Sequence, residues 1–229
     1  MNKRGVRVMR KSNTIHAIAC LIVTASLVGA CGSSSTPTAP SGSTLVRRVV
    51  VLGDSLSITP TVAESFPAVL QSRIAGGSLP WTIINAGVYG DTTTDGIRRY
   101  EPLLQNDVGV LVLELGANDG IAGVDVNTME RNLATIIEAA QSRGIAVVLC
   151  GMETPPLRGL NYAAAFHDVF PRLARRYNVP LVPFLLTGVA LVPEMNGPDG
   201  VHPNAAGARR VADNVWVYLE PLLRGGAGR

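Results

Sequence analysis

Residues 49–57 read VVVLGDSLS, an apolar run followed at once by a short polar turn. The run Val49–Leu52 is typical of a strand buried on both faces, because its residues do not alternate with polar ones. After it, Gly53 lets the backbone turn sharply, and helix-like spacing begins shortly afterwards. The pattern indicates the first strand of an α/β protein, with Ser55 displayed where that strand ends.

Further apolar runs alternate with stretches of helical spacing along the rest of the chain. Strands that alternate with helices indicate right-handed βαβ units and a parallel sheet. The predicted fold is therefore α/β, a three-layer α/β/α sandwich around a five-stranded parallel sheet, with ligand sites beyond the carboxyl ends of the strands. The predicted strands are Val49–Leu52, Trp81–Asn85, Val108–Leu115, Ile145–Cys150 and Pro180–Phe184.

Three amphipathic helices are predicted from apolar residues at helical spacing. The first begins near Asn127 or Thr128, either of which could cap it. The second covers about residues 166–177 and contains Pro171, which should kink it or weaken a turn. The third closes the chain after Pro203, a residue suited to the first helical position.

Ser55 is the candidate nucleophile at the end of the first strand. A serine hydroxyl attacks an acyl carbon at neutral pH only if a base takes its proton and fixed donors stabilise the oxyanion. Of the three histidines, His16 lies in a basic and apolar leader. His202 follows Asp199 by three residues, which suits a base with an orienting carboxylate. His167 lies beside the apolar stripe of a predicted helix, so we expect it at the surface.

Four motifs occur in order along the chain: GDSLS at residues 53–57, GDT at 90–92, ELGANDG at 114–120 and DGVHPN at 199–204. Each alone could be a turn or a helix cap, because Gly, Asp, Ser and Asn are the residues that such positions require. Their joint occurrence resembles the SGNH, or GDSL, hydrolase family from about Val49 to the C-terminus. The residues of these motifs and their spacing are most similar to those of the branch of bacterial thioesterases, arylesterases and lysophospholipases.

The resemblance implies a flavodoxin-like fold and a serine esterase or thioesterase that needs no cofactor and no metal. Ser55 would be the nucleophile, His202 the general base, and Asp199 the residue that orients the base. The oxyanion would be held by the backbone N–H groups of Ser55 and Gly90 and by the side-chain amide of Asn118. The substrate class would be acyl esters, namely arylesters, lysophospholipids or acyl thioesters.

An apolar wall for the acyl chain is expected after the fourth strand, with Met152, Leu157 and Tyr162 as its candidate residues. The segment 185–195 is a second candidate. Both segments are rich in apolar residues and follow predicted strands at the edge where the site is expected. We expect their apolar residues to be exposed unless a substrate covers them.

Three other functions remain as alternatives. A carbohydrate O-acetyl esterase would use the same residues, but the segment 152–160 offers aliphatic residues and prolines rather than aromatic rings for stacking on sugars. A metal hydrolase would need several ligands at coordinating spacings, and none is apparent. A non-catalytic lipoprotein binding module would be expected to have lost at least one of the motif residues, and all are present.

The N-terminal segment predicts export. Residues 1–30 combine a basic start with a short apolar stretch, the layout of a signal peptide. The last residues before Cys31 resemble a bacterial lipobox, so Cys31 is the predicted lipidation site, with ordinary cleavage nearby as the alternative. Residues 31–44 are predicted to be a lipid-attached flexible linker, because Gly, Ser, Thr, Pro and Ala dominate them. Residues 45–229 form the predicted hydrolase domain.

Charge and cysteine content restrict the partners. The chain has 20 basic and 17 acidic residues, but five of the basic ones lie in the predicted leader, so nucleic-acid binding is not expected. Cys150 has no intrachain partner left after Cys20 and Cys31 are accounted for, which predicts a small buried side chain. The expected molecule is a monomer, anchored by lipid to the periplasmic face of the outer membrane, that binds a small acyl ester.

Overall fold

The computed structural model describes residues 46–225. They form a five-stranded parallel sheet in the order β2-β1-β3-β4-β5. The predicted α/β class and the five parallel strands are confirmed. The strands are β1 (Arg47–Gly53), β2 (Trp81–Gly87), β3 (Val108–Glu114), β4 (Ala146–Cys150) and β5 (Leu181–Val182).

Six α-helices within these residues cover the sheet. The first helix packs against the last, while the fourth contacts the second and the fifth, which gives the outer layers of the sandwich. Among these helices, none combines the length and the apolar character that a membrane span requires. The helices are α1 (Phe66–Gly76), α2 (Thr93–Arg99), α3 (Ala117–Ala122), α4 (Val126–Ser142), α5 (Leu160–Tyr177) and α6 (Ala205–Gly225).

The central strands are buried because helices cover both faces of the sheet. Every residue of β3 is buried, and the second half of β1 is buried as well. Burial on both faces removes the need for polar alternation, which explains the uninterrupted apolar runs in the sequence. Cys150, at the end of β4, is a free buried thiol as predicted.

The fifth strand is shorter than predicted, two residues rather than the whole of Pro180–Phe184. Proline has no N–H group to donate to a neighbouring strand, and Pro180 and Pro183 flank the two paired residues. The carbonyl of Pro180 still accepts a hydrogen bond from the N–H of Leu149. The prolines therefore limit the pairing at this edge of the sheet.

Two predicted helix starts are wrong by a few residues. Helix α4 is capped by Asp125, whose carboxylate accepts from the Thr128 N–H, and not by Asn127 or Thr128. Helix α6 begins after Asn204, whose side-chain oxygen accepts from two backbone N–H groups of the first turn. Because Asn204 caps α6 through its side-chain oxygen, Pro203 lies before the helix and not at its first position.

Helix α5 runs without interruption through Pro171 and starts earlier than its apolar stripe suggests, at Leu160. The buried residues of α5 lie on the face that contacts α4 and the sheet. This packing holds the helix across the proline, although the proline removes one backbone hydrogen bond.

Candidate active site

Side chains from several loops meet at the carboxyl edge of the sheet. Ser55 follows β1, Gly90 lies in the loop after β2, and Asn118 is in the first turn of α3, after β3. Asp199 and His202 lie in the loop between β5 and α6. Parallel strands bring their carboxyl ends to one edge, so residues far apart in the sequence become neighbours there.

Ser55, His202 and Asp199 form a continuous hydrogen-bonded series. The Ser55 Oγ lies 2.9 Å from Nε2 of His202. The Nδ1 atom of the same ring lies 2.6 Å from Oδ2 of Asp199. The structure thus brings together the three residues that the sequence predicted, at distances that allow a proton to pass from the serine to the imidazole.

Asp199 is held in place by its own loop. Its Oδ1 atom accepts hydrogen bonds from the backbone N–H groups of Val201 and His202, each at 3.0 Å. The bond from the His202 side chain, together with these two backbone bonds, lowers the pKa of Asp199 well below its ordinary value. The carboxylate is therefore ionised at neutral pH and stabilises an imidazolium on its neighbour.

The nucleophile turn, residues 53–57, is fixed from inside the protein. Asp54 is fully buried, and its Oδ1 accepts from the Leu56 N–H at 2.9 Å. This bond caps the short helical turn Ser55–Ser57. Burial raises the pKa of Asp54 to about 7, against the opposing bond from Leu56 and the charge of His202. Asp54 therefore braces the turn.

Two backbone groups are available to a substrate oxygen. The N–H groups of Ser55 and Gly90 have no hydrogen-bond partner among residues 46–225. Gly90 has a φ of +80°, a left-handed conformation that favours glycine, and an added Cβ would meet no atom within 4 Å. Open space beside an unpaired N–H group is what an oxyanion site requires.

The Asn118 amide joins the nucleophile turn to the Gly90 loop. Its Nδ2 donates to Oδ2 of Asp54 at 3.1 Å and to the carbonyl of Asp91 at 2.9 Å. Both amide hydrogens are thus directed at protein acceptors. An oxyanion must share or replace one of these acceptors if Asn118 is to stabilise it.

The sequence profile of the GDSL-like Lipase/Acylhydrolase family matches residues 51–210 of this chain. The chain belongs to this family. Esterase TesA of Pseudomonas aeruginosa is 37% identical over 180 residues, which cover 77% of this chain and 90% of TesA. An arylesterase of Vibrio mimicus is 34% identical over 176 residues, which cover 76% of this chain and 88% of that enzyme.

A third relative is thioesterase 1/protease 1/lysophospholipase L1 of Escherichia coli, 32% identical over 178 residues, which cover 76% of this chain and 84% of that protein. Solved structures agree with this placement. The crystal structure of TesA matches with a TM-score of 0.73 at 36% identity, covering 77% of this chain and 99% of TesA.

The psychrotrophic esterase EstA from Pseudoalteromonas sp., in a structure inhibited by monoethylphosphonate, also matches with a TM-score of 0.73. It is 26% identical and covers 78% of this chain and 99% of EstA. The predicted family, its fold and its enzyme class are therefore confirmed. This GDSL-family chain is an ester-hydrolysing serine hydrolase.

Arg99 connects the strand ends that carry the site of this GDSL hydrolase. Its Nη2 donates to the carbonyl of Gly53 at 2.8 Å, and its Nη1 donates to the carbonyl of Ala86 at 2.7 Å. Its Nε lies 2.6 Å from Oδ2 of Asp91, beside Gly90. One guanidinium group thus fixes the end of β1, the end of β2 and the Gly90 loop relative to one another.

The three candidate acyl-chain residues occupy different environments. Leu157 is 85% exposed, as expected for an uncovered apolar wall. Met152 is only 2% exposed and packs into the core, so the expectation of an open surface is wrong for this residue. The Tyr162 hydroxyl lies 2.9 Å from the backbone carbonyl oxygen of Val124 and 3.2 Å from that of Asp119, so its single proton ties it to the end of α3.

Sequence reasoning missed Glu114 and Tyr89 as residues of the site. Glu114 is fully buried beneath the nucleophile turn. Two signals pointed to it, its place as first residue of the ELGANDG motif and its charge at the end of an apolar strand. The Tyr89 ring lies 5.4 Å from the His202 ring, centroid to centroid. No pattern in the sequence indicated this contact, because the two rings are on loops more than a hundred residues apart.

The remaining histidine does not belong to the site. His167 is exposed, as predicted, and its Nδ1 lies 2.6 Å from Oε1 of Glu153. Within residues 46–225, no three His, Cys, Asp or Glu side chains cluster in a way that could hold a metal ion. The predicted leader, the linker and Cys31 lie outside the described residues.

Proposed function

We propose that this enzyme hydrolyses acyl esters through a covalent ester on Ser55, with His202 as general base and Asp199 as its orienting carboxylate. The observation that carries the proposal is the hydrogen-bonded series from Ser55 Oγ to His202 Nε2, at 2.9 Å, and from His202 Nδ1 to Asp199, at 2.6 Å. The relatives named as esterase, arylesterase and thioesterase support the same reaction class.

The first half of the reaction forms the acyl-enzyme. Ser55 Oγ attacks the acyl carbon while its proton moves to Nε2 of His202, and the carbonyl oxygen becomes an oxyanion. The N–H groups of Ser55 and Gly90 stabilise this charge, and the Asn118 amide joins them by giving up one of its protein acceptors. The imidazolium then protonates the leaving alcohol or thiol.

The second half repeats these steps with water. Water enters the place of the leaving group, gives a proton to His202 and attacks the acyl carbon. The second tetrahedral intermediate breaks the bond to Ser55 Oγ, which takes the proton back from His202. A carboxylic acid leaves, and the starting protonation states of the three residues are restored.

Arylesters, lysophospholipids and acyl thioesters are the proposed substrate classes, supported by the names of the relatives. A carbohydrate O-acetyl esterase remains the second candidate. The acetyl xylan esterase among the structural neighbours is only 22% identical, so it supports the shared fold and not a shared substrate.

Turnover of p-nitrophenyl butyrate by Ser55→Ala tests the proposed chemistry. The variant should lose at least about 10³-fold in kcat, since its attacking atom is absent. Ser72→Ala, which alters an exposed serine of α1, is the matched control and should retain wild-type turnover. Equal turnover by Ser55→Ala and Ser72→Ala would contradict the proposal.

Leu157 and its exposed loop are proposed to contact the acyl chain. Leu157→Asp should lower the ratio of octanoyl to acetyl ester turnover about threefold or more, because a carboxylate replaces apolar contact area. Val217→Asp, at an exposed apolar position of α6, is the control. An unchanged ratio in Leu157→Asp would place the acyl chain elsewhere.

Export and a lipid anchor on Cys31 are a separate proposal, supported by the leader and the lipobox-like residues before Cys31. The enzyme would act at the periplasmic face of the outer membrane, where an amphiphilic ester is a suitable substrate. The several acyl chains of a lipoprotein, at about 0.8 kcal/mol for each buried CH₂, would hold it there.

Membrane fractionation tests the anchor. Cys31→Ala should move the protein to the soluble fraction, whereas the control Cys20→Ala, in the predicted leader, should leave it with the membranes. A Cys31→Ala variant that still sediments with membranes would contradict the lipid anchor.

A further inference from the structure

Glu114 is a fully buried carboxyl group directly beneath the nucleophile turn. It is the last residue of β3 and is paired in register with Gly53 of β1. Its Oε2 atom accepts from the Asp54 N–H at 3.1 Å and from the Ser57 hydroxyl at 2.5 Å. One oxygen atom thus holds the residues on both sides of Ser55.

The turn is built to admit this carboxyl group. A Cβ atom at Gly53 would collide with Oε2 of Glu114 and with Oγ of Ser57. Glycine at this position therefore leaves room for the hydrogen bonds as well as allowing the chain to turn. Ser57 is buried and hydrogen-bonded to Glu114, so its role is to complete this contact.

The surroundings of Glu114 favour its uncharged form. Its Oε1 atom is buried and has no hydrogen-bond partner among the described residues. The three nitrogen atoms of the Arg99 guanidinium bond to Asp91 and to the carbonyls of Ala86 and Gly53. A buried carboxylate with one oxygen unpaired is costly, and protonation removes that charge.

We propose that Glu114 is a positioning residue that, as an uncharged carboxyl group, fixes the nucleophile turn and thereby the direction of Ser55. The inference rests on the proposed function, because it assumes that Ser55 attacks the substrate. The titratable and charged groups that face Glu114 are Asp54 on the turn, Arg99 on α2 and the Cys150 thiol on β4.

The electrostatics agree with this geometry. Burial, and then the negative charge of Asp54, raise the pKa of Glu114 well above its ordinary value. The hydrogen bonds from Ser57 and Asp54 and the charge of Arg99 oppose the rise and are smaller. Glu114 therefore keeps its proton at a pH where an exposed glutamate has lost it.

Two substitutions of Glu114 separate positioning from simple core packing. Glu114→Gln keeps a neutral acceptor for the Asp54 N–H and the Ser57 hydroxyl, whereas Glu114→Leu fills similar space and leaves both donors unpaired. At pH 7, Glu114→Gln should keep kcat within about threefold of wild type. Glu114→Leu should lower kcat about 10- to 100-fold with little change in KM, since misplaced reacting atoms lower the rate and not ground-state binding.

The pH dependence identifies the active form of Glu114. The rate of Ser55 labelling by a fluorophosphonate is measured from pH 6 to pH 9 in wild type and in Glu114→Gln. The ratio of the labelling rate in Glu114→Gln to that in wild type should stay level or rise with pH. Only the wild type has a carboxyl proton to lose at position 114. A ratio that falls with pH would overturn the proposal, and so would a Glu114→Gln variant as slow as Glu114→Leu.

A milder variant covers the case in which Glu114→Leu does not fold. Ser57→Ala removes one bond to Glu114 and should slow labelling of Ser55 about fivefold or more. An unchanged labelling rate in Ser57→Ala would overturn the proposal. Ser55→Ala is run beside these variants: turnover surviving in Ser55→Ala refutes the proposed function, whereas failure of the Glu114 and Ser57 variants alone refutes only the positioning role.

Discussion

The Asp199 carboxylate accepts one hydrogen bond from the His202 ring and two from backbone N–H groups. In Asp199→Asn, the amide can donate to Nδ1 of His202 and so hold the wrong tautomer for proton uptake from Ser55. We expect kcat to fall about 10²- to 10⁴-fold. Stopped-flow labelling of Ser55 by a fluorophosphonate measures the effect without a turnover assay.

The pH profile of Asp199→Asn adds a second check. The pKa of Asp199 is lowered in the folded protein, so its hydrogen-bonded anion is lost only in strong acid. Titration of Asp199 itself should therefore add no pH dependence to the ratio of the two labelling rates, variant to wild type, between pH 6 and pH 8. Labelling of the variant at the wild-type rate would argue against the triad.

The predicted role of Asn118 as an oxyanion donor is limited by the hydrogen bonds that its amide already makes. Its amide already donates to Asp54 and Asp91, so the gain from binding an oxyanion is reduced by the bond that is given up. Asn118→Ala should lower kcat about 10²-fold, at the low end for one oxyanion donor, with little change in KM. Steady-state kinetics with p-nitrophenyl acetate measure both constants, and a change confined to KM would contradict the oxyanion role.

At the residue scale, the sequence predicted the identity of the triad but not its supports. Ser55, His202 and Asp199 lie in recognisable motifs because their chemistry restricts the residue types at those positions. The partners of Glu114 and Asn118 depend on contacts across the sheet edge. Two of these partners, the Asp54 N–H and the Asp91 carbonyl, are backbone groups, which carry no sequence signal.

At the scale of secondary-structure elements, Arg99 is the main connection between strand ends. It bonds the carbonyls of Gly53 and Ala86 and the carboxylate of Asp91. Arg99→Met should remove the hydrogen bonds to two carbonyls and a carboxylate, lower kcat about 10-fold or more, and lower the melting temperature by several degrees. Arg98→Met, which alters an exposed arginine of the same helix, is the control.

Thermal unfolding and steady-state kinetics of both arginine variants provide the measurement. A melting temperature and a kcat for Arg99→Met equal to those of Arg98→Met would show that the strand ends hold their positions without the guanidinium group.

The existence of elements with strong apolar patterns was predicted correctly from the sequence. The residues at which these elements begin and end were not. The strands β1 to β4 follow mainly apolar runs, so their existence and parallel pairing were clear from the sequence. The length of β5 depends on which backbone N–H groups remain available for pairing between the prolines that flank it. The cap of α4 depends on which of three nearby polar residues, Asp125, Asn127 or Thr128, has the right backbone geometry, and spacing alone does not determine this.

For the whole molecule, the buried carboxyl of Asp54 makes stability depend on pH. Its pKa rises from 3.8 in an exposed chain to about 7 in the folded protein, chiefly through burial. Between these values the folded state holds a proton that the unfolded state has released, so the free energy of unfolding falls as pH rises. Below about pH 4 this loss of stability is absent, and above about pH 7 it is complete.

Asp54→Asn removes this titration while keeping a side-chain oxygen for the Leu56 N–H. Between pH 4 and pH 8 the free energy of unfolding of the variant should therefore fall less than that of wild type. The difference between the two falls should be about 1–3 kcal/mol. Urea unfolding at several pH values measures the difference, with Asp168→Asn, an exposed aspartate of α5, as the control. Parallel stability profiles for wild type and Asp54→Asn would contradict the raised pKa.

The overall architecture was the part of the molecule that the sequence determined most completely. Alternating apolar runs and amphipathic helices leave few alternatives to a doubly covered parallel sheet, and such a sheet places its site at one edge. The surface for the acyl chain was less predictable. Met152 and Leu157 are both apolar and five residues apart, yet one is buried and the other exposed, because burial depends on which elements pack over each of them.

The central claim is that Ser55 is the nucleophile, and mapping a covalent adduct tests it most directly. Wild-type enzyme is treated with a fluorophosphonate, digested and analysed by mass spectrometry, with Ser55→Ala treated in parallel. We expect one phosphonyl group per chain, located on Ser55, with full loss of esterase activity in wild type and no adduct in Ser55→Ala. An adduct at another residue, or turnover that persists after Ser55 is fully modified, would contradict it.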